Sequence, residues 1–450
     1  MQKVDQKETS GSVHGDDPED SQHMGKDPNR EGGPRASLAL LGAFTAIFCT
    51  VGFINAFGVF QEYYQLNQLS EHTPFDISWL GSFTSFAMFL FAIPAGILMD
   101  RIGPIIPITV GSVAILLGVF MTSLCHTYWQ FFLAQALLLG TGIGFVATPS
   151  FAVVPRYFKQ NRALAMGVTI GGSSLGGIIW PIMLNRLLNH TGVGFGWTLR
   201  IVGFVMLPLL AVTCLTIRLP LPTAARDPIE QVEEQDRATD TTDEAEKTSK
   251  DNEEAGTLPV WKNTNSIILC AAIALVYLGF FGPFFYVSSY AVSIGQSSSF
   301  SFYLIAILNA ASLFGRILPG IVADRYGSWN LLLVSMLTSS IVAFCMTAAT
   351  STAGIIVWSL AYGFASGAIL SLQSACAVSL VKPQDSGKAI GMVMGSASIT
   401  GLFGSPICGQ LVQHYGYLAM AMFTGSVLIA GGLVEAVARF RLRPKVFARI

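Results

Sequence analysis

Twelve apolar runs of bilayer-crossing length set the terms for this chain. They fall at 38–60, 78–99, 105–124, 130–154, 163–187, 196–217, 265–290, 301–322, 330–349, 353–380, 387–412 and 417–438. A helix needs about 20 residues to cross the hydrocarbon layer. In lipid each backbone N–H and C=O must find its partner within the protein, so runs of this kind have to be helices or barrel strands, and their length selects helices. The first run is too long for a cleaved leader and follows a polar tail. Composition agrees: 12% of the residues are charged and 52% apolar, against about 25% charged in soluble domains.

A duplication organises the runs. Gly96-Ile97-Leu98-Met99-Asp100-Arg101-Ile102-Gly103 returns as Gly320-Ile321-Val322-Ala323-Asp324-Arg325-Tyr326-Gly327, an offset of 224 residues. The same offset carries Gly167 onto Gly391 and Phe57-Gly58-Val59-Phe60 onto Phe281-Gly282-Pro283-Phe284. The expected fold class is therefore an all-α integral membrane protein, with twelve transmembrane helices in two pseudo-symmetric six-helix halves. Such repeats place a transport site between them. The halves are expected at 36–218 and 263–440. Around them lie a cytosolic tail at 1–35, a linker at 219–262 and a basic tail at 441–450. Eight of the 27 acidic residues fall in 1–35 and twelve in 219–262. Both stretches are polar and aperiodic, so disorder is expected there.

Lysine and arginine fix the orientation. With both termini in the cytosol, the inner connections hold Arg101; Arg156, Lys159 and Arg162; Arg325; Lys382 and Lys388; and the tail from Arg439 onward. The outer connections at 61–77, 125–129, 291–300, 350–352 and 413–416 hold none. A multi-pass protein of the plasma membrane is expected. Asn189-His190-Thr191 is a glycosylation sequon in a loop too short to use it. The seven cysteines show neither metal spacing nor a paired framework and read as packing residues. No metal, cofactor or nucleic-acid partner is expected. Phosphate-binding glycine loops and catalytic triads are missing, so an enzyme is not expected.

The repeated Gly-x3-Asp-Arg-x-Gly phrase after the second and eighth spans resembles the major facilitator superfamily. In the fifth span, Tyr157-Phe158-Lys159-Gln160-Asn161-Arg162-Ala163-Leu164-Ala165-Met166-Gly167 followed by Gly171-Gly172-Ser173-Ser174-Leu175-Gly176-Gly177 resembles the fungal form of the monocarboxylate-porter family. Glu31-Gly32-Gly33 matches the start of that family's other signature, with Ser37 where a Trp is common. The resemblance implies a gate made by Gly96, Asp100, Arg101, Gly103, Arg162, Asp324, Arg325 and Gly327. In it each Asp meets a helix N-terminus or an arginine such as Arg162 while the cytosolic side is shut. The same residues also suit plain topogenic and helix-ending roles. The fifth-span glycines serve close helix approach.

Arg316 is the sharpest single residue. A charge inside a span is expensive and normally faces a cavity. Asn309, Ser312 and Arg316 share a helical face by their spacing. A guanidinium offers a planar fork to a carboxylate. The resemblance implies the same role, an eighth-span Arg contacting the anion. A snorkelling or helix-pairing role is the bland alternative. Animal lactate carriers have an Asp where Ser312 stands and a first-span Lys where Asn55 stands, so coupling by their proton scheme is doubtful and protons remain an open partner. No acid lies in the middle of any span, and Glu435 has Arg439 at i+4 to pair with. Tyr286 and Phe281 stand among the aromatic residues expected to line the cavity, with Tyr277, Phe285, Tyr290, Trp358, Tyr362, Gln373, Trp79 and Ser82. The substrate set is then Arg316, Asn55, Ser312, Asn309, Tyr286 and Phe281. The expected function is alternating-access transport of a small organic anion or monocarboxylate-like solute. Efflux of a fungal secondary metabolite or toxin is the alternative, and a non-transporting sensor the third reading.

Overall fold

The computed structural model describes residues 33–189, 191–220 and 260–443. The expected disorder of the N-terminal tail and linker falls at 1–32 and 221–259, outside the described residues, as do most of the basic tail and His190 of the sequon. Among the described residues, ten stretches are long and apolar enough to cross a membrane. They include α1 (Pro34–Leu66), α2 (Pro74–Ile102), α3 (Ile105–Thr122), α4 (Tyr128–Tyr157), α5 (Arg162–Asn189), α6 (Phe195–Thr216), α7 (Thr264–Ser293), α8 (Ser298–Tyr326) and α10 (Thr352–Ser379). The last stretch, Ser386–Leu442, is two spans, because Gly416 breaks it at φ 81°. We number them α11 (386–415) and α12 (417–442). The shorter α9 (Ser328–Phe344) completes the twelve.

Local chemistry sets the helix ends. Thr73 and Asp76 form a reciprocal capping box ahead of α2, with Pro74 at the first helical position. Ser297 caps α8 and Ser351 caps α10 through hydrogen bonds to backbone N–H groups three residues on. The duplicated phrase is helical almost to its end. Gly103 (φ 86°) and Gly327 (φ 96°) then close α2 and α8 in conformations that only glycine adopts freely. Asp100 and Asp324 thus sit in final helical turns rather than in loops.

The two halves meet along two seams, α2 with α11 and α5 with α8. Both seams are built by close backbone approach. A Cβ on Gly167 would overlap the carbonyl of Arg316, and one on Gly391 would lie 2.6 Å from the carbonyl of Ala92. These contacts are counterparts under the 224-residue offset, since 167 and 391, and 92 and 316, are the paired numbers. The contacts of Gly320 with Ala163 and of Gly96 with Gly387 repeat the relation. Small residues admit such approach where lipid supplies no hydrophobic drive between helices. Around the outside, Phe204, Val334, Ile341, Val357, Ile399 and Leu433 are exposed, as lipid-facing residues should be.

Two spans are interrupted at matching places. In α1 the helix breaks at Thr50 and again at Asn55–Ala56 before resuming at Phe57. In α7 it ends at Phe280 and resumes at Gly282. Phe57 and Phe281 are offset partners, so both breaks fall beside the repeated Phe-Gly phrase.

Candidate functional site

Two features lie between the halves: a clasp at the end of the bundle that carries both described termini, and a cavity at mid-depth. In the clasp, Asp100 Oδ1 accepts from Arg156 Nη2 at 2.7 Å and from the Gly387 N–H at 3.0 Å. Its Oδ2 accepts from the Lys388 N–H at 2.7 Å. Across the pseudo-twofold, Asp324 accepts from the N–H groups of Ala163 (2.8 Å) and Leu164 (3.0 Å). Each carboxylate therefore caps the first turn of the partner half's helix, α11 or α5. The uncompensated N–H groups and the dipole favour an anion there. The arginine at Asp100 is Arg156, which also donates to Ser386 Oγ at 2.9 Å and to the Gln384 carbonyl at 3.2 Å. Arg162 stands instead at the start of α5, two residues before Leu164. Arg101 and Arg325 are exposed. Gly96 serves the seam and Gly103 and Gly327 serve the turns, so this phrase builds packing, termination and clasp together.

The mid-depth cavity measures ≈ 50 Å³. Its lining includes Asn55 from α1, Phe89 from α2, Ser173 from α5, Tyr277 and Phe281 from α7, Arg316 from α8 and Gln373 from α10. Both halves contribute. Arg316 is 2% exposed. Its Nη1 donates to the Ile170 carbonyl at 2.8 Å and to Ser173 Oγ, while Nε has no hydrogen-bond partner. Among the described residues no carboxylate lines the cavity. A buried cation balanced only by a carbonyl and a hydroxyl carries a net desolvation cost that an anion would relieve. Under the duplication Arg316 corresponds to Ala92, so a symmetric scaffold carries a charge on one side only.

The other residues of the expected set lie near but apart. Asn55 lines the cavity and also a wider recess of ≈ 400 Å³ toward the opposite end of the bundle. Asn309 is fully buried, with Oδ1 against Gly177 close to the Asn55 amide. Ser312 packs against Gly367 of α10, and its hydroxyl has no partner. Tyr286 turns to α11, donating to the Ser405 carbonyl at 3.3 Å. None of these last three lines the central cavity. Sequence reasoning passed over Thr148 and Ser173, which do line it. Each sits among small residues whose pattern reads as helix packing. Glu435 and Arg439 lie one turn apart on α12, as the spacing implies. Arg439 donates to Asn330 Oδ1 and to the Arg443 carbonyl, and no hydrogen bond reaches either oxygen of the fully buried Glu435 among the described residues.

With the clasp engaged, the bundle is shut at the end bearing the termini and recessed at the other. Shutting one side while the other is open is what alternating access requires of such repeats.

Comparison with known proteins places this architecture. The Major Facilitator Superfamily model matches residues 39–372 and again 320–448. The chain is 48% identical over 408 residues to an MFS-type transporter of Aspergillus fumigatus, covering 91% of this chain and 93% of the relative. It is 47% identical over 418 residues to the agnestins efflux protein of Paecilomyces divaricatus, covering 93% and 90%. Among solved structures, the human organic anion transporter MFSD10 superposes with a TM-score of 0.66 at 15% identity, covering 89% of this chain and 99% of that one. At that identity the likeness concerns the fold.

Proposed function

This chain belongs to the Major Facilitator Superfamily, and we propose that within it the protein exports an organic anion with an apolar body by alternating access. Arg316 is the observation that carries the reading. It is a buried guanidinium in the cavity between the halves, with no carboxylate among the described residues lining the same space. A guanidinium keeps its charge in such a place and offers two parallel N–H donors to a carboxylate. The aromatic lining suits a cargo larger and less polar than a simple short-chain acid. The fifth-span resemblance to fungal monocarboxylate porters supports an acid as cargo. The agnestins efflux relative supports outward transport of a secondary metabolite. The lysine and arginine distribution supports cytosolic termini, with the clasp on the cytosolic side.

In this scheme a cargo anion binds from the cytosol when the clasp is open. Closure docks Asp100 and Asp324 on α11 and α5, and the recess at the outer end becomes the exit. Asn55 touches both cavity and recess and is the hand-over point.

Purified full-length protein tests the reading. Benzoate and its uncharged analogue benzamide serve as probes. Benzoate should bind saturably and benzamide at least tenfold more weakly. Arg316→Gln should remove benzoate binding while the protein stays monodisperse in detergent, and Arg316→Lys should lose much of it, since it keeps charge without the fork. Equal affinity for the two probes would sink the anion reading.

A further inference from the structure

The central cavity holds a second polar group that the charge argument leaves unused. Gln373 of α10 is 1% exposed and lines the cavity with Arg316. Its Nε2 donates to the Tyr277 hydroxyl oxygen at 2.9 Å, and its Oε1 has no hydrogen-bond partner. Tyr277 is 3% exposed and lines the same cavity from α7. Since its oxygen accepts from Gln373, its proton is left to give. The pair therefore presents one uncommitted acceptor and one uncommitted donor beside the guanidinium. A buried amide oxygen without a partner pays its full desolvation penalty, and nearly all such atoms in folded proteins are satisfied. Lipid cannot supply the missing bond, and the lining is otherwise apolar on this side: Phe89, Phe281, Phe284, Leu370 and Met394.

Ring geometry adds a shape. Tyr277 meets Phe89 edge-on with centroids 5.1 Å apart, and Phe281 edge-on at 5.7 Å. An aromatic wall of this kind suits contact with a further ring. The Phe89 contact crosses from one half to the other, so the aromatic wall spans the interface that must open and close.

From this arrangement we propose that Tyr277 and Gln373 form a hydroxyl-reading subsite, so that the preferred cargo is a hydroxylated aromatic acid. The acidic group lies on Arg316, and a phenolic or enolic O–H on the same ring system donates to Gln373 Oε1. The inference rests on the anion reading above and extends it from charge to substitution pattern. A site that hydrogen-bonds a hydroxyl discriminates strongly against an analogue lacking it, because the protein's own polar atoms are then left unpaired. Neither charge nor size is involved in that choice, so a probe pair of equal charge isolates it.

The test compares benzoate with 3-hydroxybenzoate by equilibrium binding to the purified full-length chain. Wild type should prefer the hydroxylated acid by roughly fivefold, the worth of one net hydrogen bond. Gln373→Met keeps the volume and removes the acceptor. It should bring the preference to about one, whatever its effect on benzoate itself. Tyr277→Phe is the second variant. It removes the hydroxyl that positions Gln373 and should erode the same preference, read as the ratio of the two affinities. Arg316→Gln should lose both acids alike, which separates the two readings. If wild type binds both acids with equal affinity, or both variants keep the preference, the subsite is overturned and the anion reading stands. If neither acid binds wild type, both readings fall together.

Discussion

At the scale of single residues, function in this protein is argued from groups that hydrocarbon makes expensive. Arg316 is the clearest, and its neighbours rank behind it in order of charge. Asn55 donates to the Ser173 carbonyl at 3.4 Å and lines the cavity, while the Ser312 hydroxyl faces α10. Asn55→Ala should weaken benzoate binding by several-fold, and Ser312→Ala should change it by less than twofold, because only the first residue touches the cavity. Titration of benzoate into each variant checks the order; a larger loss in Ser312→Ala would mean that the serine reaches the cargo in another conformation. Arg316 was legible in the sequence as a charge inside an apolar run. Gln373 was legible only as one polar residue among many in α10, because nothing in a linear chain says which side of a helix meets a tyrosine ninety-six residues away.

The elements carry the switch. The seams work because glycine lets α5 and α8, and α2 and α11, touch backbone to backbone. Gly167→Val would force the helices apart where the Cβ meets the Arg316 carbonyl, and overpacking of this kind costs about 1–3 kcal/mol. The variant should insert normally and leave the clasped state less populated. That is measured as faster labelling of a single cysteine at Thr148 from the clasp side, in a background without the native cysteines. In the clasp, Asp100 holds two amides and Arg156, and Asp324 holds two amides of α5. Asp100→Asn and Asp324→Asn should each slow transport, with both variants reaching the membrane in normal amounts. Equal and wild-type rates in the two variants would reduce the motifs to topology and helix ending. The repeated phrase and its glycines were readable in sequence. The identity of the arginine was not: several basic residues cluster near the end of α4 and the start of α5, and only the packing of α4 against α2 brings Arg156 onto Asp100.

For the molecule as a whole, no carboxylate among the described residues lines the cavity, so coupling to protons through the binding site itself is not expected. Reconstituted in liposomes with a non-ionisable cargo, the transporter should respond only weakly to an imposed pH gradient. A steep response that disappears in Glu435→Gln would overturn this and relocate coupling to the buried carboxyl at the clasp end of α12. The sequence by itself determined the helical membrane fold, its twelve spans and its twofold repeat, because hydrocarbon admits so few backbone solutions that length and apolarity decide them. It also exposed Arg316, because an unbalanced charge in lipid is conspicuous wherever it falls. The tertiary structure alone decided which polar residues converge, and that Asp100 and Asp324 reach across to helix starts in the opposite half. Those contacts join residues up to 288 positions apart, and they are set by how helix faces rotate and pack, which each helix inherits from its neighbours rather than from its own sequence.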